Sequence, residues 1–157
     1  MIEGWQINGL ASARSGLPYT VTLGAFTMSG TGWTTNQRPN VVAGASAPTP
    51  DGPTGWLNPA AYSLPAAGTY GNLPRNSERG PTFFQVDGSL IKTTQLGGGR
   101  ALQFRAEVFN ALNTVNFAQP SNNWRATTTF GRIFNTFGRT ESAGTARQIQ
   151  LALRFTF

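Results

Sequence analysis

Polarity alternates with a period of two in four segments of the chain, the signature of strands with one apolar face. The clearest runs from Arg147 to Phe157, where Ile149, Leu151, Leu153, Phe155 and Phe157 alternate with Gln148, Gln150, Ala152, Arg154 and Thr156. Apart from Arg147 at its outer end, one face is wholly apolar and the other small or polar. At about 3.3 Å per residue, this segment matches the roughly 9 to 11 residues that a tilted strand needs to cross a bilayer.

From Arg100 to Asn110, Leu102, Phe104, Ala106 and Val108 alternate with Gln103, Arg105 and Glu107. A helix competes here, since Phe104, Val108, Ala111 and Leu112 also fall at helical spacing, and a helical turn near Ala111 fits either reading. From Thr82 to Thr93 the apolar set is Phe84, Val86, Gly88 and Leu90 against Gln85, Asp87 and Ser89, with Phe83 and Ile91 breaking the alternation. The first segment keeps one parity longest. Trp5, Ile7, Gly9, Ala11 and Ala13, then Tyr19, Val21 and Leu23, oppose Gln6, Asn8, Ser12, Arg14, Thr20 and Thr22. This predicts one long strand bent at Ser15-Gly16-Leu17-Pro18, where Gly and Pro mark a bulge or an edge, or else a hairpin turning there.

The connections alternate in length: a loop from about Ala25 to Pro81, a turn at Gly97-Gly98-Gly99, and a loop from about Asn113 to Ala146. Transmembrane barrels join their strands by short periplasmic turns and longer extracellular loops. A chain whose last strand ends in the periplasm then reads long, short, long, as this one does. The fold class expected is all-β: the last strands, about four, of a transmembrane antiparallel outer-membrane β-barrel. The first long loop, with Trp33, Trp56, Tyr62 and Tyr70 among Gly, Pro, Ser and Thr, either packs on itself or stays mobile.

Composition narrows the function. Only 11% of residues are charged, against roughly 25% in an average soluble domain. Nineteen Gly and ten Pro argue against helices. The chain has no Cys and no His, which removes disulfides, thiolate nucleophiles, the commonest general base and most transition-metal sites. The six acids are mostly isolated in sequence, so no enzyme and no cofactor is expected. A net charge of +6 would suit an anionic partner, but the arginines are scattered and form no basic run, so nucleic acid is not expected as a partner. No apolar stretch is long enough for a spanning helix, and Met1 opens no signal peptide, so an export signal is expected upstream.

Gly97-Gly98-Gly99-Arg100 lacks the Lys-Ser or Lys-Thr and the helix of a phosphate-binding loop, and reads as a tight turn. Asp87, Arg105 and Glu107 on one strand face suit the charged wall of a water-filled lumen better than a catalytic cluster. The lumen-facing candidates are Gln85, Asp87, Gln103, Arg105, Glu107, Gln148, Gln150 and Arg154.

Several stretches resemble the late barrel of Oar-like TonB-dependent transporters, which carry a carboxypeptidase-regulatory-like domain ahead of the plug. They are Gly4-Trp5-Gln6-Ile7-Asn8-Gly9, Ser15-Gly16-Leu17-Pro18-Tyr19-Thr20-Val21, Arg38-Pro39-Asn40, Arg79-Gly80-Pro81 with Gln85-Val86-Asp87, and Phe104 to Asn110 with Asn116-Phe117. Phe130-Gly131-Arg132-Ile133 and the terminal Arg147 to Phe157 complete the series in order, over nearly the whole chain. The resemblance implies energised ligand uptake through an outer-membrane barrel of about 22 strands gated by a plug. On that reading residues 1–157 are its carboxy-terminal part, without the plug, and four strands enclose no lumen. The partners implied are outer-membrane lipid, the rest of the parent barrel and plug, a periplasmic coupling protein and the barrel-assembly machinery. Ile149, Leu151, Leu153, Phe155 and Phe157 resemble the terminal signal that this machinery recognises. The rival reading is a soluble or secreted β-sandwich serving as a binding or structural module, its apolar strand faces forming the core.

Overall fold

The computed structural model describes residues 3–24, 37–45, 52–137 and 146–157. Trp33 and the interiors of both long connections, at 25–36, 46–51 and 138–145, lie outside the described residues. The strands are β1 (Trp5–Arg14), β2 (Pro18–Tyr19), β3 (Asn40–Val41), β4 (Tyr62–Ser63), β5 (Glu78–Arg79), β6 (Phe83–Gly97), β7 (Arg100–Phe109) and β8 (Gln148–Thr156). The described helical residues are 3-10 turns at Gly52–Thr54 and Pro59–Ala61, and among the described residues no helix is long and apolar enough to cross a membrane. The fold is all-β.

The chain forms two compact units. The first holds a four-stranded antiparallel sheet in the order β1-β6-β7-β8, so each strand pairs with the next long strand of the chain. The segment from Arg100 is a strand and not a helix, because β6 and β8 supply ladder partners along both of its edges. No helical turn forms near Ala111. Asn110 instead takes φ 51°, closes a turn by accepting from the Asn113 N–H, and ends the strand one residue earlier than the alternation suggests. β6 runs four residues past Thr93, up to the glycines. Gly97, Gly98 and Gly99 all have positive φ (81°, 62° and 79°), a conformation that favours glycine, and the register shifts between Gln95 and Gly97 as the strands turn. Both long connections leave the opposite end of the sheet from this turn.

The second unit is built from residues 15–82 and 117–135, and here the expected long bent strand fails. β1 stops at Arg14, and Pro18–Tyr19 pairs antiparallel with Glu78–Arg79 as a separate two-stranded sheet, so neither one continuous strand nor a β1 hairpin forms. Gly16 explains the break: a Cβ there would lie 1.8 Å from the Gly80 carbonyl oxygen, so the chain passes its neighbour too closely for any side chain. The alternation of Tyr19, Val21 and Leu23 against Thr20 and Thr22 persists, but its apolar set enters a protein core and not lipid. Val21, Leu57, Ala61, Tyr62, Leu73 and Phe130 form that core, with Tyr19, Trp56 and Trp124 packed against it. Tyr62 meets Phe130 edge-on, centroids 5.7 Å apart. The described part of the first long loop therefore packs on itself. Burial, with the Glu78 carboxylate adding to it, pushes the Tyr19 and Tyr62 phenols well above the usual tyrosine range.

Candidate functional site

Side chains on a strand alternate between faces, and directly paired residues share one. The register therefore assigns both faces of the sheet. One carries the rows Trp5-Lys92-Phe104-Leu153, Ile7-Leu90-Ala106-Leu151 and Gly9-Gly88-Val108-Ile149, continued by Ala11-Val86 and Ala13-Phe84 at one end and by Thr94-Leu102-Phe155 at the other. Every apolar set expected of the four segments, up to Ala13 in the first, falls on this face. The interruption is Lys92, whose ammonium lies 5.1 Å from the centre of the Trp5 ring and donates to the Glu3 carbonyl at the end of the row. That is how a lysine leaves an apolar surface for an aqueous boundary.

Nothing covers this face among the described residues. Ile7 is 81% exposed and Leu151 65%, and Trp5, Phe84, Leu90, Phe104, Ile149, Leu153 and Phe155 are exposed as well. Phe157 lies past the end of β8 and stacks on Phe155, ring centroids 6.0 Å apart.

The opposite face is polar. Its rows include Thr93-Gln103-Arg154, Gln6-Ile91-Arg105-Ala152 and Asn8-Ser89-Glu107-Gln150, with Phe109-Gln148, Leu10-Asp87 and Ser12-Gln85 beyond. All eight residues named from the alternation, Gln85, Asp87, Gln103, Arg105, Glu107, Gln148, Gln150 and Arg154, share this face. Gln103, Arg105, Glu107, Gln150, Ala152 and Arg154 line a groove of about 250 Å³. Arg105 and Glu107 approach to 3.6 Å, two residues apart on one strand face. Asp87 does not join them. Its Oδ1 accepts from Gln85 Nε2 and from the Asn110 backbone N–H, both at 2.8 Å, and its Oδ2 from Gln85 Nε2 at 3.0 Å. The three charged residues read from the sequence thus form an ion pair and a separate structural carboxylate. Among the described residues no three acids gather as they would around a metal ion.

Phe83 and Ile91, which break the alternation, stand on this polar face. Phe83 meets Phe137 edge-on at 5.4 Å, and the Arg14 guanidinium lies 4.5 Å from one ring and 4.7 Å from the other. Ile91 is buried. Sequence reasoning also missed two asparagines, each only 1% exposed. Asn116 receives the Phe84 N–H on its Oδ1 and donates from its Nδ2 to the Phe84 carbonyl, standing in for a strand partner at the start of β6. Asn110 does the same for Thr114. Side-chain amides that copy a backbone pair leave no period in the sequence, whether the partner is four residues away, as for Asn110, or 32, as for Asn116.

A sheet of a soluble domain buries at least one face against another layer. This one exposes both, one apolar but for Lys92 and Thr94 and the other mainly polar, which suits a wall between lipid and water. The family model described as "Outer membrane beta barrel domain" matches residues 1–150. The chain belongs to that family. No curated protein and no solved structure matches it. Membership places the protein in the outer membrane of a Gram-negative-type bacterium and replaces the soluble sandwich as the account of the apolar face. The four strands are part of a barrel, since a four-stranded sheet with β1 and β8 at its edges encloses no lumen.

Proposed function

We propose that this chain is the carboxy-terminal barrel segment of an Oar-like TonB-dependent transporter, the outer part of a machine for energised ligand uptake. The support is that the residues carrying the resemblance hold one another. Asp87 of Gln85-Val86-Asp87 accepts the N–H of Asn110, which ends the Phe104 to Asn110 motif, and Asn116 clamps the backbone of Phe84 just ahead of Gln85. These contacts join stretches over twenty residues apart at one end of the sheet, so the motifs describe one structural joint.

In this reading the apolar face meets lipid and the eight polar residues face the lumen, where Arg105, Glu107 and Arg154 set the charge of the permeation wall. The second unit is extracellular. The remaining strands, the plug and its coupling segment belong to the same parent polypeptide, and the ligand is selected largely by them. The last strand, through Ile149, Leu151, Leu153, Phe155 and Phe157, is recognised by the barrel-assembly machinery.

An antiserum raised against the second unit tests this on outer-membrane fractions of the source cells. The expected band is a polypeptide long enough for a plug and about 22 strands, and the same antiserum should co-precipitate the periplasmic coupling protein. A band no longer than 157 residues would overturn the reading.

A further inference from the structure

The second unit contains a cavity of about 440 Å³ lined by Thr20, Thr22, Arg38, Arg75, Asn76 and Asn122. That volume falls in the range of small-molecule sites, roughly 300 to 1,000 Å³. All six lining residues have polar side chains, two of them cations and none an acid. We infer that this cavity binds a small oxyanion, a carboxylate or phosphate group, held between the Arg38 and Arg75 guanidinium groups. The inference stands apart from the transporter reading and needs only the second unit.

The fold builds the lining deliberately from strand parity. Tyr19, Val21 and Leu23 point into the core, which leaves Thr20 and Thr22 on the cavity side. Asn76 donates its backbone N–H to Thr20 Oγ1 at 2.8 Å, and Asn122 Nδ2 donates to the Thr20 carbonyl at 2.8 Å, so three of the lining residues fix one another. Arg38 is half-buried and donates from one Nη to the Leu73 carbonyl, which orients its guanidinium and leaves other N–H groups of the five-donor fork for a ligand. Arg75 is exposed and supplies the second charge of the lining. The nearest acid to Arg75 along the chain, Glu78, is buried and lies opposite Tyr19 in the β2–β5 ladder, so it shares the core side of its strand. Two arginines with hydroxyl and amide groups between them match the planar, multiply accepting oxygens of a carboxylate or phosphate.

The intact protein in a neutral detergent, titrated calorimetrically with inorganic phosphate and, separately, with micelles doped with phosphatidylglycerol, tests the site. Arg75→Gln should weaken phosphate binding about tenfold or more, while Arg132→Gln, the same charge loss in the same unit but outside the cavity, should change it less than twofold. Near-ultraviolet circular dichroism of the unit's Tyr and Trp side chains checks that Arg75→Gln leaves it folded. Binding of the doped micelles alone, lost in Arg75→Gln, would support the site and name a lipid headgroup as its anion. Equal weakening by both substitutions, or no heat with either probe, would overturn it.

Discussion

The two units of this protein carry the same alternation and use it in opposite ways. In β1 the apolar parity is left uncovered, with Ile7 at 81% exposure, whereas fourteen residues later the same parity gives Val21 at 0%. Among the described residues the sheet unit has two open faces and one buried apolar side chain, Ile91. The second unit has a core of Leu, Val, Tyr and Phe assembled from segments of little regular structure. Period two states that a strand has faces; what covers each face depends on the medium and on chain far away in sequence. The sheet therefore leaves its apolar side chains for lipid, whereas the second unit buries its own.

If that division is right, the largest effects of substitution should separate by unit and by solvent. Leu73→Ala, at 2% exposure in the second unit, should cost about 2 to 5 kcal/mol from lost burial and a cavity. In the intact protein the near-ultraviolet signal of Trp56, Trp124 and Tyr62 should melt earlier while the amide infrared band of the membrane strands stays put. Loss of both signals together would show that the units fold as one.

The sheet should answer to lipid-facing charge instead. Leu151→Arg, in a central row of the apolar face, should destabilise the barrel in vesicles by roughly 2 to 4 kcal/mol, and Gln150→Arg on the other face by no more than about 0.5 kcal/mol. Equal costs would mean that the register's two faces do not meet two different media.

Alkali should sharpen the contrast further. The Tyr19 and Tyr62 phenols are held above their ordinary value of 10.0, so the folded second unit keeps protons that the unfolded chain releases. Stability is therefore intact below pH 10.0 and falls as the pH rises past it. Tyr19→Phe with Tyr62→Phe should flatten this loss, and a thermal melt of the near-ultraviolet signal at pH 9 and pH 11 measures it. An unchanged pH dependence in the double variant would remove the two phenols as its cause.

Much of the sheet was legible because each long strand writes its own pattern: all four strands, the glycine turn and the sharing of a face by all eight polar candidates follow from local alternation. Gly16 and Pro18 marked a bend after Arg14, but that the chain leaves the sheet there was not legible, since Tyr19, Val21 and Leu23 continue the parity of Trp5 to Ala13 and the close approach at Gly16 is to Gly80, far along the chain. The second core was hidden for a related reason. Leu57, Leu73 and Phe130 sit in irregular chain with no common period, and only their meeting makes them a core. Arg38 and Arg75 looked like scattered charge in the sequence, yet they line one cavity. Asn110 and Asn116 showed only as letters of a resemblance; their work is two-point hydrogen bonding to backbone that the alternation cannot report.

The smallest effect on stability should come from the last residue. Phe157 is 94% exposed, lies beyond β8 and touches Phe155 in a stacked pair, so its removal uncovers little and breaks no ladder bond. In detergent the intact protein lacking Phe157 should unfold within about 0.5 kcal/mol of the parent, as for other changes at exposed positions. Inside the cell the demand differs. If the last strand is recognised by the assembly machinery as proposed, it offers an unpaired edge before it closes the sheet, and an edge is gripped through main-chain bonds plus alternate side chains on one face. Ile149, Leu151, Leu153 and Phe155 form that alternate set, and Phe157 extends it with an aromatic where barrels carry their interfacial girdle. Deletion should therefore lower the amount of protein in the outer membrane several-fold, read by immunoblot of membrane fractions, while the refolded protein keeps its melting point. If the yield in cells is unchanged, the terminal aromatic is no signal. If melting point and yield fall together, Phe157 is a packing residue and the assembly reading of β8 fails with it.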